Sequence, residues 1–372
     1  MQTNISADTS RRITSLRFLL MVLVVFIHNN FTAQSIAESV ANGGFDIIFR
    51  PNALSRWTQL LISDGIARCA VPLFFLFAAY LQAKKADSYG VLLKKRARSL
   101  LVPFVLWTAL YVFYYGGVKL IVAKIAPQFV HHPETSWLTW TPADWFHNIL
   151  GYELKDGDIS HPRFAIQFWF LRDLMLLVIA SPLIIRLIRR FPAGFLAVTV
   201  ILFIIPVRHL YVVKVQAVFF YVAGLYWGLY DLPLLEKIDR ISWAESIALF
   251  AATFFATWRF YGHNTTMYWC MVLCACVLTL KFSRVIAAHE KSFAAASYLA
   301  GFSFFLYAVH TPVLEESLLK RLWLHFFPMK NAFFCLFEYF GVSVLTIAIG
   351  TAAGIALKKI CPPLFRLLNG GR

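Results

Sequence analysis

Long apolar runs broken by clusters of Lys and Arg organise this 372-residue chain. Runs able to cross a ~30 Å hydrocarbon layer as helices predict spans over 15–34, 59–82, 100–124, 166–187, 193–208, 211–230, 242–260, 266–283, 297–318 and 332–357. A bilayer leaves no water for exposed peptide groups, so such runs must satisfy their hydrogen bonds within helices. The pattern therefore predicts an all-α, polytopic integral membrane protein of about ten transmembrane helices, organised as one domain over 1–372. The stretch 193–230 is the least regular, because Pro206, Arg208, His209 and Lys214 interrupt it. It reads as two short spans or as one bent span with a re-entrant piece.

The loops alternate in charge. Arg11-Arg12, Lys84-Lys85, Lys94-Lys95-Arg96 with Arg98, Arg186 with Arg189-Arg190, Lys237 with Arg240, Lys281 with Arg284 and Lys291, and Lys358-Lys359 all fall on one side. That side is the cytoplasm by the positive-inside rule, and an even number of spans places both termini there. The opposite side carries the 35–58 loop, a long extracytoplasmic loop over about 125–165, and short turns near Arg208, Tyr261–Asn264 and 320–331.

Composition agrees: 59% of residues are hydrophobic and 15% charged, against about a quarter charged in soluble domains. The net charge of +16 would suit nucleic acid, but the basic residues cluster between apolar runs. They orient spans and meet membrane lipid, and no nucleic-acid partner is expected. The first apolar run lacks a small-residue cleavage site and carries His28 at its centre, so it reads as a retained span. Six cysteines (Cys69, Cys270, Cys274, Cys276, Cys335 and Cys361) lie mostly within spans. Cys270, Cys274 and Cys276 have no His or carboxylate at a ligand-like spacing, so they read as small apolar filler and no metal is expected.

Candidate chemistry begins with Arg17 and His28 in the first span. Eleven helical steps come within ~20° of three turns, so both leave one face, ~16 Å apart along the axis. An ionisable group at that depth is functional by default. A neutral imidazole at His28 can take a proton from an alcohol; the bland reading is a histidine bonded across helices for packing. Arg17 alone can snorkel to the headgroups. Lys94, Lys95, Arg96 and Arg98, at the start of the third span, suit phosphates, or simply anchor the span. The 125–165 loop holds Glu134, Asp144, Glu153, Asp156 and Asp158, with His131, His132, His147, His161 and Trp137, Trp140, Trp145. Aromatics beside acids suit a sugar; Trp also collects at membrane interfaces without a ligand.

Further along, His310 has Tyr307 before it and Glu315-Glu316 after it. It reads as an acceptor-positioning group or a structural histidine. Arg172 and Asp173 point about 100° apart on a helix and cannot simply pair with each other, so partners on other helices are expected, Arg68 among them. Arg208 and Lys214 either attract an anionic acceptor from outside or cap spans, and capping is the preferred reading. Asp173, Glu338 and Glu315 are the carboxylates counted within spans.

Arg17-x10-His28 resembles the signature of the acyltransferase-3 family of integral membrane O-acyltransferases. Other fragments resemble that family in the same order: Val71-Pro-Leu-Phe-Phe-Leu-Phe-Ala-Ala-Tyr-Leu81, Lys95-Arg-Ala-Arg98 followed by Pro103, Phe168-Trp-Phe-Leu-Arg-Asp-Leu174 with Pro182, and Ser303-Phe-Phe-Leu-Tyr-Ala-Val-His310-Thr-Pro312. The chain departs from the family pattern at Ala78-Ala79, where Ser-Gly is expected. Lys95 replaces the first arginine of R-x-x-R and lacks its bidentate fork. The acidic residue often seen before the first-span arginine is absent, and no soluble SGNH-type domain follows the last span.

The resemblance implies transfer of an acyl group, usually acetyl, from cytoplasmic acyl-CoA as co-substrate to a hydroxyl of an extracytoplasmic glycan or glycolipid. It implies a bacterial inner-membrane location. On this reading Lys95 and Arg98, with Lys94 and Arg96, hold CoA phosphates. Arg17 orients the thioester, and His28 deprotonates the acceptor. His310 and Tyr307 position the acceptor, and Arg17, Trp169 and Arg172 are oxyanion candidates. The alternative is a transporter or flippase of a glycan or lipid-linked substrate. That reading expects ion-coupling carboxylates and internal symmetry, and the chain shows few of the first and no repeat.

Overall fold

The computed structural model describes residues 5–29, 53–85, 87–125, 139–151, 154–155, 158–159, 162, 164–205, 209–210, 213–263, 265–327 and 331–371. They are almost wholly helical. The strands among the described residues form two minimal antiparallel pairs, Leu154–Lys155 with Asp158–Ile159 and His209–Leu210 with Val213–Lys214.

Five helical stretches are long and apolar enough to cross a membrane: Ala53–Ala83, Tyr89–Val122, Ile166–Arg190, Thr266–Ala288 and Ala332–Ile360. Two bent pairs, Val215–Leu229 with Leu234–Arg240 and Glu290–Ala300 with Ser303–Phe326, raise the number to seven. The other three expected spans coincide with the helices Ala7–His28, Pro192–Ile204 and Trp243–Ala256, which fall outside that set. The irregular stretch 193–230 holds two helices, Pro192–Ile204 and Val215–Leu229, with the antiparallel pair His209–Leu210 and Val213–Lys214 between them. Large apolar side chains such as Phe113, Phe333 and Ile360 are bare, at 67%, 68% and 82% exposure. A water-soluble protein would cover surface of that kind. The chain is an integral membrane protein.

Local chemistry fixes the helix ends. Thr141 and Asp144 form a capping box at Pro142–Leu150, and Ser242 and Glu245 form one at Trp243–Ala256. Asn331 and Thr265 accept N-terminal amides of the helices they precede. Gly151 ends Pro142–Leu150 in the left-handed region at φ 70°, where a side chain would be strained.

The contacts group into two compact units. The first comprises Met1–Ile27, Leu60–Lys95 and Asp173–Ser303; the second comprises His28–Gln59, Arg96–Arg172 and Phe304–Arg372. In the first unit, Arg12 is buried. Its guanidinium bonds both oxygens of Asp239 at 2.8 and 3.0 Å, the Ser283 hydroxyl and the Leu280 carbonyl. Arg11 bonds the Ala287 carbonyl and Glu290. Ala70–Ala83 lies along Val215–Leu229, with Tyr80 stacked on Trp227 at 3.9 Å and Tyr221 donating to Gln82. Gly224 permits this approach, since a Cβ there would sit 2.2 Å from the Leu76 carbonyl oxygen. Gly224→Ala should therefore lower stability by about 2 kcal/mol through overpacking. A thermal-denaturation midpoint in detergent checks this, and an unchanged midpoint would refute it.

In the second unit, the Trp107 indole donates to the Leu368 carbonyl, and the Phe305 amide donates to Asn369. The rings of Trp107, Phe305 and Phe365 fill the space between. These contacts seat Val102–Phe113, Pro362–Leu368 and Ser303–Val309 against one another, and so fix the segment that leads into His310.

Candidate active site

His28 ends the first helix, and His310 opens the π-helical stretch His310–Leu319. Both belong to the second unit, where their rings meet edge to face with centroids 5.1 Å apart. His310 is fully buried and His28 half-buried.

A hydrogen-bonded frame sets the His310 ring. Its Nδ1 lies 2.8 Å from the Tyr307 carbonyl. A carbonyl only accepts, so Nδ1 carries the hydrogen. In the neutral ring Nε2 is then a lone-pair acceptor. That Nε2 is buried and has no hydrogen-bond partner among the described residues. The Tyr307 hydroxyl donates to the Gln167 carbonyl at 2.6 Å. The Tyr111 hydroxyl donates to the carbonyls of Ala308 and Thr311, and the Gln167 amide donates to Ala308 at 3.1 Å. Two side chains, Tyr111 and Gln167, thus pin the carbonyls of Ala308 and Thr311 on either side of His310. The backbone leaves helical geometry at Thr311 (φ −131°, ψ 156°), freeing those carbonyls to accept. Beside His28, Asn29 donates to the Tyr339 carbonyl and the Ser343 hydroxyl.

Other expected site residues stand elsewhere. Arg17 lies on the His28 helix within the first unit, half-buried and without a hydrogen bond or ion pair among the described residues. The basic run is divided: Lys94 and Lys95 belong to the first unit, Arg96 and Arg98 to the second. Lys94, Lys95 and Arg98 are exposed and Arg96 is half-buried. Lys95 pairs with Asp87 at 2.6 Å, an exposed contact worth little. Trp169 opens its helix half-buried.

Arg172 is buried and donates to the carbonyls of Leu150 and Gly151 at 2.7 and 3.0 Å. It thus neutralises the C-terminal end of Pro142–Leu150. Asp173 accepts the Lys214 amide at 3.1 Å. Arg68, expected among the partners of Arg172-Asp173, instead pairs with Asp64 one turn before it.

In the 125–165 stretch, Asp144 is committed to its cap. It accepts the Thr141 hydroxyl at 2.7 Å and the Thr141 amide at 2.8 Å. These bonds hold its carboxyl below the ordinary value. Trp140, Trp145 and Phe164 pack on one another. Glu134, Glu153, Asp156, His131, His132, His161, Trp137, Arg208 and Asn264 lie outside the described residues.

Asp64 was missing from the carboxylates counted within spans. Its i,i+4 spacing to Arg68 was the available signal. The His263 and Tyr268 side chains lie in the field of this ion pair, and Trp258 meets His263 at 4.4 Å.

The family described as acyltransferase domain, acyltransferase-3, matches this chain over residues 11–357. The chain is similar to the succinoglycan biosynthesis protein ExoH of Rhizobium meliloti (strain 1021), with 25% identity across 98% of this chain and 93% of the relative. No solved structure matches.

Proposed function

The chain belongs to the acyltransferase-3 family, and we propose that it is an acyl-CoA-dependent O-acyltransferase of the bacterial cytoplasmic membrane. It moves an acyl group, acetyl by family habit, from cytoplasmic acyl-CoA to a hydroxyl of an extracytoplasmic polysaccharide or glycolipid. The likeness to a succinoglycan biosynthesis protein supports a polysaccharide acceptor.

The observation that carries this reading is the meeting of His28 and His310, with the His310 tautomer set by the Tyr307 carbonyl. A nucleophilic hydroxyl needs a base at the moment of attack, and an imidazole is suited to that task near neutral pH. In this scheme a neutral His28 takes the acceptor proton as the hydroxyl oxygen bonds to the thioester carbonyl carbon. The tetrahedral intermediate collapses, the C–S bond breaks, and the departing CoA sulfur takes the proton from the imidazolium. Nε2 of His310 offers a lone pair to the hydroxyl or to the charged His28 ring. Arg17, a cation on the His28 helix without a partner among the described residues, is retained for the donor side.

Donor recognition falls to Lys94, Lys95, Arg96 and Arg98, whose charges suit phosphates. The Asp87 contact of Lys95 is exposed and easily exchanged for a phosphate. Removing two phosphate contacts should raise the KM for acetyl-CoA about tenfold or more in Lys95→Ala/Arg98→Ala. Steady-state transfer by reconstituted protein measures this. An unchanged KM would move the donor site away from this run.

A further inference from the structure

Four residues on the element that begins at His310 and on the helix it packs against carry buried polar atoms without a hydrogen-bond partner among the described residues. Among the described residues, Nε2 of His310, Oγ1 of Thr311, and both carboxyl oxygens of Glu315 and of Glu338 are buried without a hydrogen-bond partner. All four residues are 0% exposed. His310, Thr311 and Glu315 share His310–Leu319, and Glu338 lies on Ala332–Ile360. The two elements pack through Leu314, Leu319 and Val342. Glu315 follows Leu314 directly and Glu338 lies one helical turn before Val342, so both carboxyls belong to that interface. Each also lies in the field of Lys320, and Glu315 in that of Glu338. Asn29 binds the same long helix at Tyr339 and Ser343, which brings the His28 end to the turn beside Glu338.

Each buried polar atom left unpaired costs about 1–3 kcal/mol, more for a carboxylate, and native interiors leave few of them. The chemistry of these atoms is mixed. The lone-pair imidazole nitrogen accepts, while a hydroxyl and a buried carboxyl group can each donate and accept. Among the described residues they do not gather into a group of three or more metal-ligating side chains. The complement of such separated donors and acceptors is a molecule with several hydroxyl groups, each of which donates and accepts.

We propose that Glu315 and Glu338, with His310 and Thr311, form an acceptor subsite that takes a polyhydroxylated sugar. The carboxyl groups accept hydrogen bonds from hydroxyls that do not react, and this presents the reacting hydroxyl to the two histidines. The presentation of a reacting hydroxyl rests on the acyltransferase reading above; the binding of the sugar does not.

The test uses the full chain in detergent and in proteoliposomes, as wild type, Glu315→Leu, Glu338→Leu and the corresponding Gln variants, with succinoglycan oligosaccharides as probe. Without ligand, the Leu variants should melt about 3 °C higher, because each removes buried unpaired oxygens. With acetyl-CoA as donor, their KM for the oligosaccharide should rise about tenfold, while acetyl-CoA affinity stays at the wild-type value. The Gln variants keep one acceptor oxygen and should show a smaller rise, with the fold intact. Leu variants that melt lower and keep the wild-type KM would overturn the subsite, since that is what a structural pair does. If wild type transfers nothing, yet the oligosaccharide raises its melting point and not that of the Leu variants, the subsite stands and the transferase reading fails. Transfer by the Gln variants at wild-type KM would overturn the subsite and leave the transferase reading in place.

Discussion

His28→Ala inserts into the membrane and transfers no acyl group above background. A hydroxyl attacks a thioester slowly while it keeps its proton, and a positioned base contributes about 10²–10⁴-fold. Alanine also empties the space in which the ring meets His310, so loss of base and loss of geometry fall together. The effect belongs to the chemical step. Donor affinity, read as acetyl-CoA binding to the purified variant, should stay at the wild-type value. Binding lost together with transfer would mean that His28 holds donor rather than acceptor. Full activity would remove it from the chemistry altogether.

His310→Asn is expected to lose about 10²-fold in turnover, and the choice of substitution matters. An asparagine amide can occupy the position of Nδ1 and still donate to the Tyr307 carbonyl, so the frame of Tyr111, Gln167 and Tyr307 survives and the melting point holds. The Nε2 lone pair is gone. His310→Gln places a polar atom near Nε2 but cannot take up a proton, and should recover part of the activity at most. If Asn and Gln variants both turn over like wild type, His310 is a packing residue and the histidine contact has no part in transfer. Measuring turnover beside thermal stability separates the two cases.

Much of the architecture was legible because the bilayer imposes one dominant rule. Each apolar run had to become a helix, and a described helix overlaps each of the ten predicted spans, while five stretches, or seven with the bent pairs, are long and apolar enough to cross. His28 and His310 were also legible singly, because a polar ring in an apolar run stands out. Their meeting was not legible. It depends on Asn29 reaching Tyr339 and Ser343, and on the Thr311 break turning the chain after His310. No periodicity encodes either contact.

Arg172 shows a second limit. It is an oxyanion candidate by sequence, and the structure adds that it caps a helix whose end is set by Gly151, twenty-one residues away in sequence. Arg12 shows the same, since an arginine read as part of the basic charge that orients the spans is a buried clamp on Asp239. Asp64–Arg68 differs from these, because an i,i+4 pair is local and could have been read directly. Glu315 and Glu338 were counted within spans, but their lack of partners is a property of tertiary packing alone.

The most direct measurement is transfer from radiolabelled acetyl-CoA to oligosaccharides of cell-envelope polysaccharide by the purified chain in proteoliposomes, wild type beside His28→Ala. The account predicts label in the oligosaccharide fraction with wild type and none with the variant. Unlabelled oligosaccharide with folded wild type, or equal label with both proteins, would contradict it. The first result would return the transporter alternative, and the second would separate acyl transfer from the histidine pair.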